Sequence, residues 1–113
     1  MHIDSYEFGR IVVDGRVFTQ DIILLPEGIQ ESWWRQEGHR LQLADIGSIL
    51  AARPEVLIVG QGQPGRMQVD QDLAQYLRQQ GIDLIEVPTA QACQRFNALS
   101  PHRRVAAALH LTC

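Results

Sequence analysis

Val105-Ala106-Ala107-Ala108-Leu109-His110-Leu111-Thr112-Cys113 closes the chain and is apolar almost without a break. A strand with one face in water alternates polar and apolar residues, and this stretch does not. Small alanines between Val105 and Leu109 suit a strand covered on both faces by closely approaching layers; a C-terminal helix is the rival reading. The stretch reads as the central strand of a covered sheet, with Thr112 and Cys113 emerging at a sheet end.

Upstream of it the apolar period is about 3.6 in alternating segments. Asp45 is placed to cap a helix carrying Ile46, Ile49 and Leu50, stopped by Pro54, whose ring disfavours helical geometry at Arg53. Val56-Leu57-Ile58-Val59 is a short buried strand. Asp70 is the expected cap of a second helix with Leu73, Tyr76 and Leu77 inward and Gly81 as its left-handed stop, followed by strand Leu84–Val87. Thr89 is the expected cap of a third helix, with Ala92, Cys93, Phe96 and Leu99 as its buried stripe. Strand, helix, strand, helix, strand is a wound α/β unit.

The first third has period two. Ile11-Val12-Val13 and Arg16-Val17-Phe18 flank Asp14-Gly15, the strongest short hairpin signal, because both turn positions need positive φ. Ile22–Leu25 ends at Pro26. Between Glu27 and Leu43 a second strand pair is expected, with Trp33 and Trp34 on opposite faces and a turn at Glu37-Gly38. The fold class is therefore α/β: a single three-layer domain, residues 1–113, with a mixed central sheet and helices, antiparallel β-hairpins over residues 1–43 and the α/β unit over 44–113. The hairpins must extend the central sheet or cover one of its faces.

Composition bounds the function. With 113 residues, 45% hydrophobic and 20% charged, one core is expected to bury roughly two thirds of the unfolded surface. A formal charge of −3 with only Arg103 and Arg104 adjacent argues against a nucleic-acid surface. All ten basic residues are arginine, from which no function follows. Two cysteines without a secretory signal point to free thiols in a reducing, cytoplasmic setting. No run approaches the eighteen or so apolar residues of a membrane span.

Gly60-Gln61-Gly62-Gln63-Pro64-Gly65 matches G-x-G-x-x-G directly after a strand, and Glu86 follows near the end of the next one. The dinucleotide mechanism needs a helix that begins within the loop, whereas the cap signal sits at Asp70, where a negative charge repels phosphate. No cofactor is expected. A lesser reading keeps Gly60, Gln61, Gly62, Gly65 and Arg66 as a cradle for a small ligand or anion. Cys93 reads as core thiol. Cys113 carries its own carboxylate and no positive partner, so it reads as structural or docking, and His110 as a core histidine satisfied by a hydroxyl or carbonyl rather than a catalytic one. His2, His39 and His102 lack ligand spacing, and no metal site is expected. Of Trp33 and Trp34, one indole is left for a partner or a covering element.

Pro54–Gly62, Thr89–Leu99, Arg103-Arg104-Val105 and the His110-Leu111-Thr112-Cys113 ending, with Ser32-Trp33-Trp34-Arg35 and Gly38-His39, resemble the small α/β domain family of respiratory complex I assembly factor 3 and the adipogenesis-associated domain protein. Where members of that family often carry Thr-x-Glu-Ala, this chain has Thr89-Ala90-Gln91-Ala92. The resemblance implies a three-layer domain with a mixed sheet, no established enzymatic activity and no catalytic residues to transfer. Its mitochondrial members assist assembly of a membrane-bound complex, and the absence of a transit peptide favours a bacterial cytoplasmic setting here. The expected function is a non-enzymatic assembly module with a protein partner, docking through Trp33, Trp34, His110, Thr112 and Cys113. The alternative is a small-molecule or anion-binding domain, in the limit an enzyme, built on the Gly60–Met67 loop.

Overall fold

Two-residue turns dictate how the chain begins. A computed structural model describes residues 1–113. Ile3–Glu7 (β1), Arg10–Val13 (β2) and Arg16–Phe18 (β3) form an antiparallel meander. Asp14 and Gly15 turn between the last two with φ of 47° and 78°, as the Asp-Gly signal requires. Ile22–Leu25 (β4) then turns through Pro26 and Glu27 into Gly28–Gln30 (β5).

From here the structure departs from the expected second strand pair. The Glu37-Gly38 turn closes as an isolated Glu37–Arg40 bridge, but residues 31–39 form no strand. Instead Arg40–Leu41 (β6) pairs in parallel with Gln68–Val69 (β8). The reason is side-chain burial: Trp33 and Leu41 both enter the core, which draws the segment over the sheet face rather than along its edge.

A 3-10 turn at Leu43–Asp45 precedes the helix Gly47–Ala52 (α1), so Asp45 does not cap α1 as expected; it is the third residue of the turn, in a capping box with Gln42. Its carboxylate accepts from the amides of Gln42 at 2.8 Å and Gln36 at 3.2 Å, fixing the loop ahead of the turn. Val56–Gly60 (β7), Gln71–Gln79 (α2), Asp83–Val87 (β9), Thr89–Leu99 (α3) and Val105–Leu109 (β10) complete the chain. Asp70 occupies the cap position of α2, but its carboxylate pairs with Arg40 at 3.3 Å instead of the helix amides. Gly81 follows with φ 74°. Tyr76, expected inward, is 36% exposed, since Leu73 and Leu77 fill the buried stripe of α2.

The central sheet runs β5-β4-β10-β7-β9, parallel from β10 to β9 and antiparallel from β10 to β5. β10 is its middle strand, as its composition demands, and every residue of it is buried. Val105, Ala107 and Leu109 join Val56, Ile58, Ile22 and Leu24 under α3 and the meander. Ala106 and Ala108 join Leu57, Val59 and Ile23 under α1, α2 and Trp33. The β7–β9 and β9–β10 crossovers traverse the sheet in opposite directions, which places α2 and α3 on opposite faces if both keep one hand. The N-terminal hairpins thus do both things open to them: β4–β5 extends the sheet, and the meander covers a face.

Replacing Ala107 with Leu is expected to destabilise the protein by roughly 1–3 kcal/mol, because both flanking strands and the layer above are already in contact. Urea unfolding measures it, and an unchanged midpoint would contradict burial of this strand on both faces.

Candidate functional site

The glycine loop, Gly60 to Met67, leaves the C-terminal end of β7 and turns twice through positive φ, at Gly62 (98°) and Gly65 (112°). Its amides are largely committed. Gln61 N–H donates to the Val87 carbonyl at 2.9 Å, Gly62 N–H to the Thr89 hydroxyl at 2.9 Å, Gln63 N–H to the Thr112 carbonyl at 2.9 Å and Met67 N–H to the Gln61 carbonyl at 3.0 Å. Pro64 has no N–H, so Gly65 and Arg66 hold the amides without a protein acceptor. α2 begins only at Gln71, well past the loop. The glycines serve close packing instead: a Cβ on Gly60 would lie 2.9 Å from both the Leu109 side chain and the Thr89 hydroxyl, and one on Gly62 would run into the Thr112 carbonyl and the His110 ring.

What fills the space beside the loop is the end of the chain. Beyond β10, residues 110–113 continue without regular structure, and their main-chain groups are gripped from four sides. His110 N–H donates to the Gly60 carbonyl at 3.0 Å, and the His110 carbonyl accepts from the Thr89 hydroxyl at 2.6 Å. The Leu111 carbonyl accepts from Gly9 N–H at 2.9 Å and from the Tyr6 hydroxyl at 2.9 Å. Leu111 N–H donates to Asp21 at 2.8 Å. Thr89 is therefore not the helix cap its position suggests; it is the first residue of α3, and its hydroxyl ties the loop to the tail.

Asp21 is the hub of this pole. One carboxylate oxygen takes Leu111 N–H; the other takes Arg35 Nη1 at 2.7 Å and His110 Nδ1 at 2.8 Å. Arg35 Nη2 donates to the Gly38 carbonyl at 2.8 Å, and the guanidinium lies 4.8 Å over the Trp33 ring. Nδ1 of His110 can donate to Asp21 or accept from Arg35 Nη2 at 3.2 Å, not both. The shorter contact and the anionic acceptor assign the hydrogen to Nδ1. Burial pushes the Asp21 carboxyl up, but the hydrogen bonds from His110, Leu111 N–H and Arg35 outweigh it and hold the group below the usual aspartate value. Tyr6 is raised by burial first and then by the nearby Cys93 and Asp21. His110 Nε2 and Arg35 Nε are buried without a partner, and the His39 ring stands edge-on 6.2 Å from that of His110. An Asp–His pair of this kind orients an imidazole as a base would be oriented. Here none of the surface cavities is lined by Asp21, Arg35, His110 or any loop residue from Gly60 to Met67.

The residues singled out in the sequence thus converge in part. The loop, His110, Thr112 and Cys113 meet at one pole, and Trp33 and Trp34 belong to it through Arg35. Trp33 is buried with its indole N–H on the Asp45 carbonyl at 2.9 Å, and His110 is buried on Asp21, so neither side chain reaches the surface. Trp34 is 77% exposed, and Thr112 and Cys113 are half-buried. Asp21 and Tyr6 escaped sequence reasoning; in it Arg35 enters only within the Ser32–Arg35 stretch, and Thr89 reads as a helix cap rather than as the tie between loop and tail. Asp21 lies 89 positions from His110, and no local pattern reports such a pairing. The one available signal was a lone Arg directly behind two tryptophans.

Replacing Asp21 with Asn is expected to cost about 1.5–3 kcal/mol at neutral pH, the range for losing charged hydrogen bonds. Because the folded carboxyl is depressed, its contribution is complete above the unfolded value near 3.9 and disappears as pH falls through the folded one. Stability curves of wild type and variant should therefore converge on acidification; parallel curves would refute the assignment. Burial pushes the Cys93 thiol up to about 12. Iodoacetamide followed by mass spectrometry should modify half-buried Cys113 in the native protein and Cys93 only on unfolding.

Known proteins share this architecture. The chain is 30% identical over 111 residues to the human NADH dehydrogenase [ubiquinone] 1 alpha subcomplex assembly factor 3, and 27% identical over 111 residues to the Xenopus tropicalis protein of the same name. Each match spans 96% of this chain and 59% of the relative, so the chain corresponds to little more than half of either curated protein. The crystal structure of a conserved hypothetical protein from Pyrococcus horikoshii OT3 superposes over 100% of both chains with a TM-score of 0.86 at 27% identity. Residues 3–110 match the model of the family described as protein of unknown function (DUF498/DUF598), and the chain belongs to that family.

Proposed function

We propose that the protein is a non-enzymatic assembly module that acts through protein–protein contacts with a membrane-associated complex. The observation that carries this reading is the match, over nearly the whole chain, to proteins named as assembly factors. The pole supplies a physical basis. Trp33 is locked by its indole hydrogen bond and by the stacked, ion-paired Arg35, so the backbone carrying the exposed Trp34 between them is fixed in advance. An exposed indole on a fixed backbone is the kind of anchor that dominates interfaces, and the fixed backbone lowers the ordering cost of binding. No helix of the chain is long and apolar enough to cross a membrane.

A second reading, anion binding at the Gly60–Met67 loop, is favoured by Arg66. Its side chain is exposed and pairs with no carboxylate, beside the open amides of Gly65 and Arg66. Saturable shifts of those two amides on titration with phosphate would bring it forward.

Tagged protein isolated with mild detergent from its own cells should retain a defined complex. Trp34→Ala should weaken that retention by about thirtyfold, the effect of a 2 kcal/mol anchor, with thermal stability unchanged. A variant retained as well as wild type, or wild type recovered alone, would overturn the reading.

A further inference from the structure

The sheet ends at β9, and backbone accounting shows what that edge leaves open. Asp83 N–H donates to the Glu55 carbonyl at 2.9 Å, and the Val87 carbonyl accepts from Gln61 N–H at 2.9 Å. In a parallel ladder alternate residues direct both main-chain groups to the same neighbour, so Asp83, Ile85 and Val87 bond toward β7. The N–H and C=O of Leu84 and Glu86 consequently face outward, and no element pairs with them. The other edges are guarded or short. Asn97 in α3 bonds both the N–H and the C=O of Ile3 at 2.8 Å on β1, and β3 and β5 have three residues each.

A second feature adjoins this edge. A cleft of about 320 Å³ lies between β9 and α2, lined by Ala74, Arg78, Ile82, Asp83, Leu84 and Glu86. Its floor is aliphatic and its rim charged. Glu86 accepts from Val69 N–H at 3.3 Å and from the Gln61 side chain at 3.5 Å, and it has no cation within ion-pair distance.

Resting on the assembly reading, we infer that the outer edge of β9 receives an extended segment of the protein partner as an added strand. Its main chain bonds Leu84 and Glu86, an aliphatic side chain enters the cleft beside Leu84, and a basic residue faces Glu86. Main-chain bonding supplies affinity in this mode, and flanking pockets supply specificity.

Proline at 86 deletes the outward N–H without removing a bond to β7, and the preceding strand residue already has the geometry proline requires. Glu86→Ala is its matched control, losing the same carboxylate and keeping the N–H. Peptides selected from a displayed library of random heptamers on the full chain serve as probe. Binding should slow hydrogen exchange at the Leu84 and Glu86 amides, fall tenfold or more in Glu86→Pro, and fall less in Glu86→Ala. Absence of any selected peptide, equal binding to both variants, protection elsewhere, or concentration-dependent protection of these amides without peptide, which marks self-association, would each overturn the inference. Retention of the cellular complex by Glu86→Pro would sink this edge alone, whereas peptide binding at β9 by a chain that retains no complex would sink the assembly reading alone.

Discussion

Burial of β10 on both faces is the constraint from which the rest of the molecule follows. A strand covered twice cannot shed polar groups, so its residues must be apolar and its backbone fully paired, here by β4 and β7. Three successive alanines keep the covering layers close. The same closeness governs the neighbouring strand, where a Cβ on Gly60 would stand 3.3 Å from that of Ala92 in α3. Small residues thus set the layer spacing, while Ile22, Leu24, Ile58 and Phe96 fill the volume around them. Each fully buried aliphatic of that size contributes about 1.5–3 kcal/mol, so the core does not depend on any polar device for its stability.

The polar device is needed for a different reason. A strand in the middle of a covered sheet must leave it somewhere, and at His110 the ladder ends while the main chain is still buried. Asp21 resolves this by accepting Leu111 N–H, and it can stay ionised there because Arg35 and His110 approach the other oxygen. Desolvating a carboxylate and a guanidinium costs several kcal/mol each, comparable with what charge-assisted bonds of about 1.5–3 kcal/mol return. The net is small. What the hub fixes is position: the tail, the Trp33 ring and the loop through Gly38 and His39 share one set of anchors.

That division explains which parts of the structure were legible in the residues. β10, β7, α2, α3 and the Asp14-Gly15 hairpin follow from period and turn chemistry, because their burial repeats along the local chain. The segment 31–41 does not, since its path is decided by Trp33 reaching Asp45 and Arg35 reaching Asp21. Capping failed for the same reason. Asp70 and Thr89 both sit at helix starts, yet each spends its side chain on a distant partner, Arg40 and the tail carbonyl of His110, and Asp45 turns back to the Gln42 amide ahead of its 3-10 turn rather than forward to α1. A polar side chain's choice between a local amide and a remote one depends on the fold as a whole, and single-sequence patterns carry no term for it.

The glycine loop shows how far a motif can be trusted without that accounting. Gly60 and Gly62 are glycine, as in a phosphate loop, but the atoms that approach their missing side chains belong to the chain itself: Leu109, Thr89, His110 and Thr112. The Thr112 carbonyl takes the Gln63 amide much as a phosphate oxygen would. Interior polar capacity is thereby consumed, apart from His110 Nε2 and Arg35 Nε, which no cavity reaches. The main-chain capacity left unspent at the loop and along β9 lies at the periphery, at the turn of Gly65 and Arg66 and at Leu84 and Glu86. A chain that keeps open main-chain groups along a sheet edge is arranged to add surface to surface, the kind of contact an assembly role calls for.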